Sequence, residues 1–314
     1  MVGFLIRRIG QSVVVLFIVT IVTFYLVHLF PGGAIKALVG PRATPAQLAY
    51  YTNLYGFNKP FYVQYLKWLG QLLQGNLGFS PKLNLAVSTE IGNALPKTII
   101  LVVLGTVVSL LFGIPLGVYQ AVKRNSVGDY ILTGISFLGY SAPTFFVGLI
   151  LVEWFAVDTH IFPPFAPSGQ TVGAILGDPK ALVLPVLTYG FGLYALWSRY
   201  MRSSTLDNLV QDFVRTARAK GAGERRVIWV HVFRNSLVSI VTLLGLSIPG
   251  IVAGALFTEV VFNYPGMGMA FYQAAQNVDY ESLLGFTVLA TVATILGNLV
   301  ADVGYAVLDP RVRY

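Results

Sequence analysis

The sequence contains no cysteine, which excludes disulfide bonds and thiolate metal sites. Charged residues are also scarce, at 11% of 314 residues, far below the roughly 25% usual for soluble domains. Apolar runs of about twenty residues recur instead, and each is long enough to cross the roughly 30 Å hydrocarbon core as a helix. These runs are continuous and do not alternate with a period of two, so they exclude a membrane β-barrel. The composition therefore predicts an all-α polytopic membrane protein.

Motifs that would indicate catalysis or nucleotide binding are also missing. The three histidines, His28, His160 and His231, have no metal-ligand spacing, and there is no GxxxxGK[ST] phosphate loop. Gly139 to Pro143 resembles a nucleophile elbow, but its second glycine is absent and no strand precedes it. An intramembrane enzyme would need paired catalytic groups at matching depth, and none is found. We therefore predict a chain that is not an enzyme, holds no metal or cofactor, and depends on another subunit if ATP powers it.

Six segments are predicted to span the membrane. The first, Ile9 to Phe30, is longer than a signal-peptide core and lacks a small-x-small cleavage site, so it is expected to remain as a helix. Proline in Ser141-Ala142-Pro143 predicts a kink in the third segment. The other segments are Leu95 to Val122, Tyr130 to Val157, Ala181 to Met201, Ser236 to Phe262 and Leu283 to Leu308.

Three regions are expected along the chain: residues 1–30, an insertion at 31–94, and a core at 95–314. The insertion follows a stop at Pro31-Gly32-Gly33. In it, Thr44 to Gln47 reads as a capping box and Gly56 as a helix stop. A second short helix is predicted from Pro60 to Leu73, ending at Gly75. The insertion is therefore expected to form a small folded cap on one membrane face.

Six crossings place both termini on one side of the membrane. Of the 21 lysines and arginines, fourteen fall in segments on the terminal side and seven on the other. The positive-inside rule then makes both termini cytoplasmic. This topology accounts for most of the net charge of +8, so nucleic-acid binding is not needed to explain it.

A dense polar block, Asp212 to Asn235, interrupts the apolar segments. A helix is predicted over Leu206 to Lys220, with Leu209, Phe213 and Ala217 on one face, and Gly221 fits its C-terminal cap. A second short helix is expected to follow from Gly223. Anionic lipid could attract such a basic element, but lipid attraction does not require a glycine-hinged corner lined with alanine. The pattern favours docking to another protein.

Acidic residues within or beside a membrane are costly, which singles out Glu153, Glu259 and Asp302. Glu153 and Glu259 fall near the outer ends of predicted helices, where a solvated end is the alternative to a functional role. Asp302 is expected to form a structural ion pair with an arginine such as Arg199 or Arg202, and proton coupling is the alternative.

Arg215 to Gly221, RTARAKG, resembles the EAA-loop signature of permease subunits of ATP-binding-cassette importers, in the version typical of the dipeptide and oligopeptide permease family. Two positions depart from the general signature: Arg215-Thr216-Ala217 stands where Glu-Ala-Ala is usual, and His231 to Arg234 stands where Ile-x-Leu-Pro is usual. The resemblance covers essentially the whole chain and includes LIRRIGQSVVVLF, LFPGG, VQYLKWLGQLLQGNLG, GIPLGV, TEVVFNYPGMG and LDPRVRY.

This resemblance implies a type I importer permease fold with six membrane helices, cytoplasmic termini and an extracytoplasmic insertion after the first helix. The chain would be half of a heterodimeric permease in a prokaryotic plasma membrane and would work by alternating access. Its expected partners are a second permease, cytoplasmic ATPase subunits that bind ATP and Mg, an extracytoplasmic substrate-binding protein and membrane lipid. Coupling helices are implied at about 205–235. Their expected ATPase contacts are Asp212, Arg215, Thr216, Ala217, Arg218, Ala219, Lys220, Gly221, Glu224 and Arg225.

The resemblance further implies a peptide substrate, either dipeptides or longer peptides. Nickel chelates, glutathione and haem are the alternative cargoes in this family, and a proton-coupled carrier is the alternative mechanism. The binding protein is expected to dock on Pro31 to Ala94 and on Asn263 to Gly268. Candidate pathway or gate residues are Glu153, Glu259, Asn263, Tyr264 and Pro265.

Overall fold

The computed structural model describes residues 2–29, 39–40, 43–169, 171–253 and 255–308. A π-helical turn, Glu153–Asp158, follows the helix Thr144–Val152, and another, Val227–Val232, joins Glu224–Arg226 to Phe233–Ala253. The elements are α1 (Val2–His28), α2 (Pro45–Tyr55), α3 (Phe61–Leu73), β1 (Phe79–Ser80), β2 (Leu85–Ala86), α4 (Val87–Val122), α5 (Val127–Ser141), α6 (Thr144–Val152), α7 (Val172–Gly177), α8 (Pro179–Leu209), α9 (Asp212–Ala219), α10 (Glu224–Arg226), α11 (Phe233–Ala253), α12 (Leu256–Val261), α13 (Met267–Gln276) and α14 (Tyr280–Leu308).

The membrane-spanning character of the chain is confirmed by long apolar helices. In the described ranges, five helices are long and apolar enough to cross a membrane, and a sixth crossing exists if the α5–α6 pair forms one span. The five are Arg7–His28, Val87–Val122, Pro179–Leu209, Glu224–Gly245 and Tyr280–Leu299. The predicted all-α polytopic class is therefore confirmed, while the count of six spans and the cytoplasmic termini stay predictions.

The predicted kink in the third span is a full break. Ala142 has extended backbone angles, φ −73° and ψ 132°, and Pro143 begins the next helix. The two helices meet at 108°. Proline disfavours helical angles at the residue before it, which explains why the helix stops at Ser141.

Two membrane helices are longer than their apolar cores predicted. Helix α4 begins at Val87 rather than Leu95, because the polar residues of its first turns find partners in the fold. Glu90, for example, is buried and accepts a 2.7 Å hydrogen bond from the Ser282 hydroxyl on α14. Helix α8 continues past Met201 to Leu209 for the same reason, since Ser204 bonds to the Ser236 carbonyl on α11. Hydrophobicity marks the membrane core of a helix, but tertiary partners decide where the helix ends.

The predicted fifth span, Ser236 to Phe262, is divided into two helices. Helix α11 ends at Ala253 and α12 begins at Leu256, with Ala255 in a non-helical conformation at φ −99° and ψ 54°. Residue 254 lies outside the described residues. After α12 the chain turns into α13, a short helix that was not predicted.

The cap predicted after the first span packs on the C-terminal half of α1. Tyr65 of α3 hydrogen bonds to Thr20 at 2.9 Å, and its ring lies edge-on to Phe24 at 5.5 Å. The predicted capping box is present at Thr44, and Gly56 ends α2 with φ 74°. The hairpin β1–β2 was not predicted, and the expected stop at Pro31-Gly32-Gly33 lies outside the described residues.

Helices α4 and α8 form the centre of the molecule, and glycines set their separation. A methyl group on Gly117 would lie 2.7 Å from the Ser198 carbonyl oxygen and 2.8 Å from the Met201 Cβ. Gly113 approaches Trp197 and Ser198 in the same way. The Gly113 to Gly117 spacing therefore marks a close helix contact, as small residues at membrane helix interfaces do.

Replacing Gly117 with alanine should destabilise the protein. Gly134 on α5 is the matched control, because a methyl group there meets nothing within 4 Å. Since alanine favours a helix by about 0.5–1 kcal/mol over glycine, Gly134→Ala should raise or preserve the melting temperature. Gly117→Ala should lower it through overpacking that costs about 1–3 kcal/mol. Thermal unfolding in detergent measures both, and equal melting temperatures would contradict the close contact.

Candidate functional site

The polar block forms a corner of two helices at one end of the molecule. Helix α8 ends at Leu209, Gln211 is extended, and α9 begins at Asp212. The predicted single helix over Leu206 to Lys220 is therefore wrong. Gly221 then takes φ 82°, a left-handed conformation that suits glycine, and ends α9 as predicted.

The corner is held by its own small apolar core. Val214 and Ala217 of α9 pack with Val227 and Val232 of the π-helical turn, and all four side chains are buried. Leu209 packs against this core, but Phe213, predicted on the same face, is 37% exposed. Leu209 and Phe213 do not lie on one face, because α9 is a separate helix and does not continue the helical rotation of α8. Since the π-helical turn runs directly into α11, the corner is fixed to a membrane helix.

An ion pair bridges the two arms of the corner. The Arg218 Nε donates to Glu224 Oε1 at 2.7 Å, and Nη2 donates to Oε2 at 3.2 Å. The neighbouring carboxylate raises the pKa of the Arg218 guanidinium above its usual value. Both side chains are exposed to solvent, so this bidentate ion pair adds little to the stability of the fold. Its main effect is to orient α9 relative to α10.

The residues predicted to contact an ATPase share this corner. Ala217 is buried in the corner core, whereas the other nine are exposed. Asp212 and Arg215 form an i,i+3 pair at 3.5 Å, and the Thr216 hydroxyl donates to the Asp212 carbonyl at 2.9 Å. The exposed members are Asp212, Arg215, Thr216, Arg218, Ala219, Lys220, Gly221, Glu224 and Arg225. Together they make a mostly polar face of mixed charge.

A second polar site surrounds Glu259, whose side chain is completely buried. Its carboxylate accepts hydrogen bonds from the Thr98 hydroxyl at 2.7 Å and from the Met269 amide at 3.0 Å. The Thr98 oxygen also accepts from the Met267 amide at 2.7 Å. Glu259 therefore joins α12, the start of α13 and the first third of α4, and the alternative of a solvated helix end is wrong for it.

The turn after Glu259 contains three of the other predicted pathway residues. Tyr264 is buried and donates to the Lys97 carbonyl at 2.7 Å, while Asn263 is exposed with φ 49°. Pro265 is half-buried in the same turn. Glu153 lies apart on the π-helical turn after α6, where its side chain is exposed. The structure thus brings together Glu259, Asn263, Tyr264 and Pro265.

Thr98, Gly266 and Gly268 complete this site, although none of them was among the predicted pathway or gate residues. A methyl group on Gly266 would lie 2.5 Å from both Glu259 Oε1 and the Thr98 hydroxyl, and one on Gly268 would lie 2.5 Å from the Leu256 Cα. The two glycines flanking Met267 were a visible signal of close approach. Thr98 gave no such signal, because it meets Glu259 across 161 positions.

Two further acidic side chains connect secondary-structure elements through hydrogen bonds. Asp129 binds Arg202 through two hydrogen bonds of 3.1 and 3.0 Å, which join α5 to α8. Arg202 therefore pairs with Asp129. The Asp302 side chain lies outside the described part of the chain, so its expected ion pair with an arginine such as Arg199 or Arg202 stays a prediction. Asp279 accepts from the Ser80 hydroxyl and fixes β1 to the start of α14.

Across the described ranges, no group of three His, Cys, Asp or Glu side chains is placed to hold a metal ion. His28 bonds to the Phe24 carbonyl at 2.6 Å and to Gln64 at 3.1 Å, and it belongs to the contact between α1 and α3.

Removing the Thr98 hydroxyl should loosen the Glu259 site. Thr98→Val keeps the shape but leaves the Met267 amide and one Glu259 oxygen without their partner, at a cost of about 1–3 kcal/mol. Thr205 is the matched control, because it is equally buried and its hydroxyl has no hydrogen-bond partner among the described residues. Thr205→Val should leave the melting temperature unchanged or raise it. A drop for Thr205→Val as large as that for Thr98→Val would contradict this role of Thr98.

Comparisons with known proteins agree with this architecture. Residues 113–314 match the family described as binding-protein-dependent transport system inner membrane component, and residues 1–82 match the N-terminal model of such membrane components. The MetNI methionine ABC transporter, solved in inward-facing conformations, superposes with a TM-score of 0.51 at 15% identity, covering 68% of this chain and 95% of that chain. This likeness shows the fold.

Curated relatives match along the whole chain. The oligopeptide transport system permease protein AppB of Bacillus subtilis is 37% identical, with 100% of both chains covered. The dipeptide transport system permease protein DppB of Escherichia coli K12 is 33% identical, covering 100% of this chain and 99% of the relative. The glutathione transport system permease protein GsiC of Salmonella paratyphi A is 33% identical, with 100% of both covered. The chain belongs to the binding-protein-dependent transport system inner membrane components, the permease subunits of ATP-binding-cassette importers, which work with substrate-binding proteins and partner ATPases that hydrolyse the ATP.

Proposed function

We propose that this chain is one of two homologous permease subunits of a peptide importer, and that its α9 corner is the contact for a cytoplasmic ATPase subunit. The observation that carries the proposal is the corner itself. Its outer face is exposed and polar, its inner face packs on the π-helical turn, and that turn is continuous with α11. A docking element must expose its contact face while staying rigid at its base, and this corner has both properties.

The corner could transmit movement of the ATPase to the membrane helices only if it is rigid. ATP can favour one arrangement of the membrane helices only if the movement of the ATPase reaches them. The core of Val214, Ala217, Val227 and Val232 transmits a displacement of α9 to α11 without loss in a flexible linker. The Asp129 to Arg202 pair carries the same displacement from α8 to α5. Alternating access would then be a rigid-body rearrangement of helices, with ATP and Mg bound by the ATPase subunits.

The second half of the pathway would come from a partner permease. Large apolar side chains stay exposed along α4, α5 and α6, including Leu111, Phe112, Phe137 and Phe146. Lipid covers part of this surface, and the proposed partner covers the rest. The pathway between the two subunits would be bordered by the turn Asn263 to Pro265. The substrate-binding protein would dock on the insertion at 31–94 and on the Asn263 to Gly268 turn, and the remaining core would be 95–314.

Peptides are the proposed cargo. The printed names of two relatives that align with this chain over its full length specify oligopeptides and dipeptides. The name of a third specifies glutathione, which is one of the alternative cargoes.

Charge reversal on the exposed face of α9 should release the ATPase. Arg215→Glu with Lys220→Glu alters the contact face without touching the Arg218 to Glu224 pair. Like charges placed against each other across an interface cost several kcal/mol, so the ATPase copurified with the complex should fall more than about tenfold. Lys123→Glu with Arg124→Glu is the control, since it makes the same charge change at exposed sites in the α4–α5 turn. Equal losses in the two variants would contradict docking on α9.

An uptake assay tests which cargo the complex transports. The complete complex, reconstituted with its binding protein in vesicles, should take up a radiolabelled dipeptide or oligopeptide only when ATP reaches the ATPase subunits. A protonophore should leave uptake unchanged, because a proton gradient does not drive the cycle. Uptake of haem or a nickel chelate with no uptake of any peptide would overturn the peptide assignment, and uptake without ATPase subunits would overturn the importer mechanism.

A further inference from the structure

A cavity of about 1070 Å³ lies between the part of α1 from Arg7 to Val19 and the middle of α14, from Phe286 to Leu299. It is larger than most small-molecule sites, which measure roughly 300–1,000 Å³. Its inner end is closed by Leu256 of α12 and by Met267, Gly268 and Phe271 around the start of α13. Neither the proposed ATPase contact nor the turn proposed to border the pathway accounts for this space.

The cavity has a basic mouth and an apolar interior. Arg7, Arg8, Gln11 and Ser12 line it where α1 enters the membrane, and Asn298 faces them from α14. Deeper along α1, the lining changes to Val14, Val15 and Val19. Its lining residues include no aspartate or glutamate, so the charge of Arg7 favours a negatively charged group at the mouth.

The threonines of α14 do not make the interior polar. Thr287, Thr291 and Thr294 line the cavity, but each hydroxyl donates to the carbonyl four residues earlier, at 2.8, 2.7 and 2.8 Å. Hydroxyls already bonded to their own helix offer little to a new ligand. A peptide, with many donors and acceptors to satisfy, would lose hydrogen bonds with water inside this space and gain few in return.

The length of the cavity matches one leaflet of a membrane. The lining of α1 runs from Arg7 to Val19, twelve residues or about 18 Å of helix. Half of the hydrocarbon core is about 15 Å. The groove therefore starts at the level of the lipid headgroups and ends near the middle of the bilayer.

We propose that this cavity holds an anionic phospholipid of the leaflet in which α1 begins, with its phosphate at Arg7 and an acyl chain along α1 and α14. Charge complementarity at the mouth, an apolar interior and a length of one leaflet together describe an amphiphile and not a soluble cargo. Basic pockets between membrane helices are known to hold acidic lipid headgroups. A bound lipid would fill the gap between α1 and the rest of the bundle and hold α1 in place.

The test compares single substitutions in the intact complex, purified with its partner subunits. Native mass spectrometry would count phosphatidylglycerol molecules retained after delipidation and after titration, with phosphatidylcholine as the uncharged reference. Arg7→Gln should weaken phosphatidylglycerol binding about fivefold, the effect expected of one basic residue near a membrane surface. Arg124→Gln removes the same charge at an exposed site outside the cavity and should change nothing.

A second pair of variants tests the interior. Ala290→Trp fills the cavity and should abolish retention, whereas Leu296→Trp, on the exposed side of α14, should not. Because Arg7 is exposed and its replacement adds no bulk, the proposal stays testable even if Ala290→Trp fails to fold. Equal retention of the two lipids, or unchanged binding in Arg7→Gln, would overturn the proposal. So would efficient cross-linking of a cysteine at Val15 to the partner permease, which would make a helix of that subunit the occupant.

Discussion

The close contact between α4 and α8 is the constraint on which the rest of the structure depends. Within a bilayer, apolar side chains gain little by leaving lipid for protein, so helix association relies on tight packing and on hydrogen bonds. Gly113 and Gly117 allow that packing, and the Ser198 hydroxyl donates to Gln120 at 2.7 Å across the same contact. Helices α5, α6 and α11 pack on this pair, whereas α1 packs on α14.

Buried carboxylates connect other helices to the α4–α8 pair through hydrogen bonds. Glu259 holds the start of α13 to α4 through Thr98, and Asp129 holds α5 to α8 through Arg202. Each carboxylate is costly in a membrane and is tolerated because its oxygens have donors. The same helix pair thereby connects the two sites: α8 leads into the α9 corner at one end, and α4 carries Thr98 towards the other. In the proposed mechanism, this shared attachment lets a movement of the corner reach the turn after Glu259.

The corner and the α1–α14 cavity show two uses of basic residues at the membrane surface. In the corner, Arg218 is paired with Glu224, and the exposed charges are mixed. At the cavity mouth, Arg7 lines an opening that contains no acidic side chain among the described residues. A mixed-charge face suits a protein surface, whereas a basic opening above an apolar groove suits an anionic lipid.

The sequence by itself determined the membrane class, the approximate positions of the apolar helices, the glycine end of α9 and the family resemblance. These features are local, because hydrophobic runs, capping residues such as Thr44 and glycine in left-handed turns act within a few positions. It did not determine the break between α11 and α12, the separate start of α9, or the partners of Glu259 and Arg202. Those depend on residues far apart in the chain, such as Thr98 and Asp129, and only the tertiary structure decided which polar groups meet, because each buried charge takes whatever donor the packed helices bring to it.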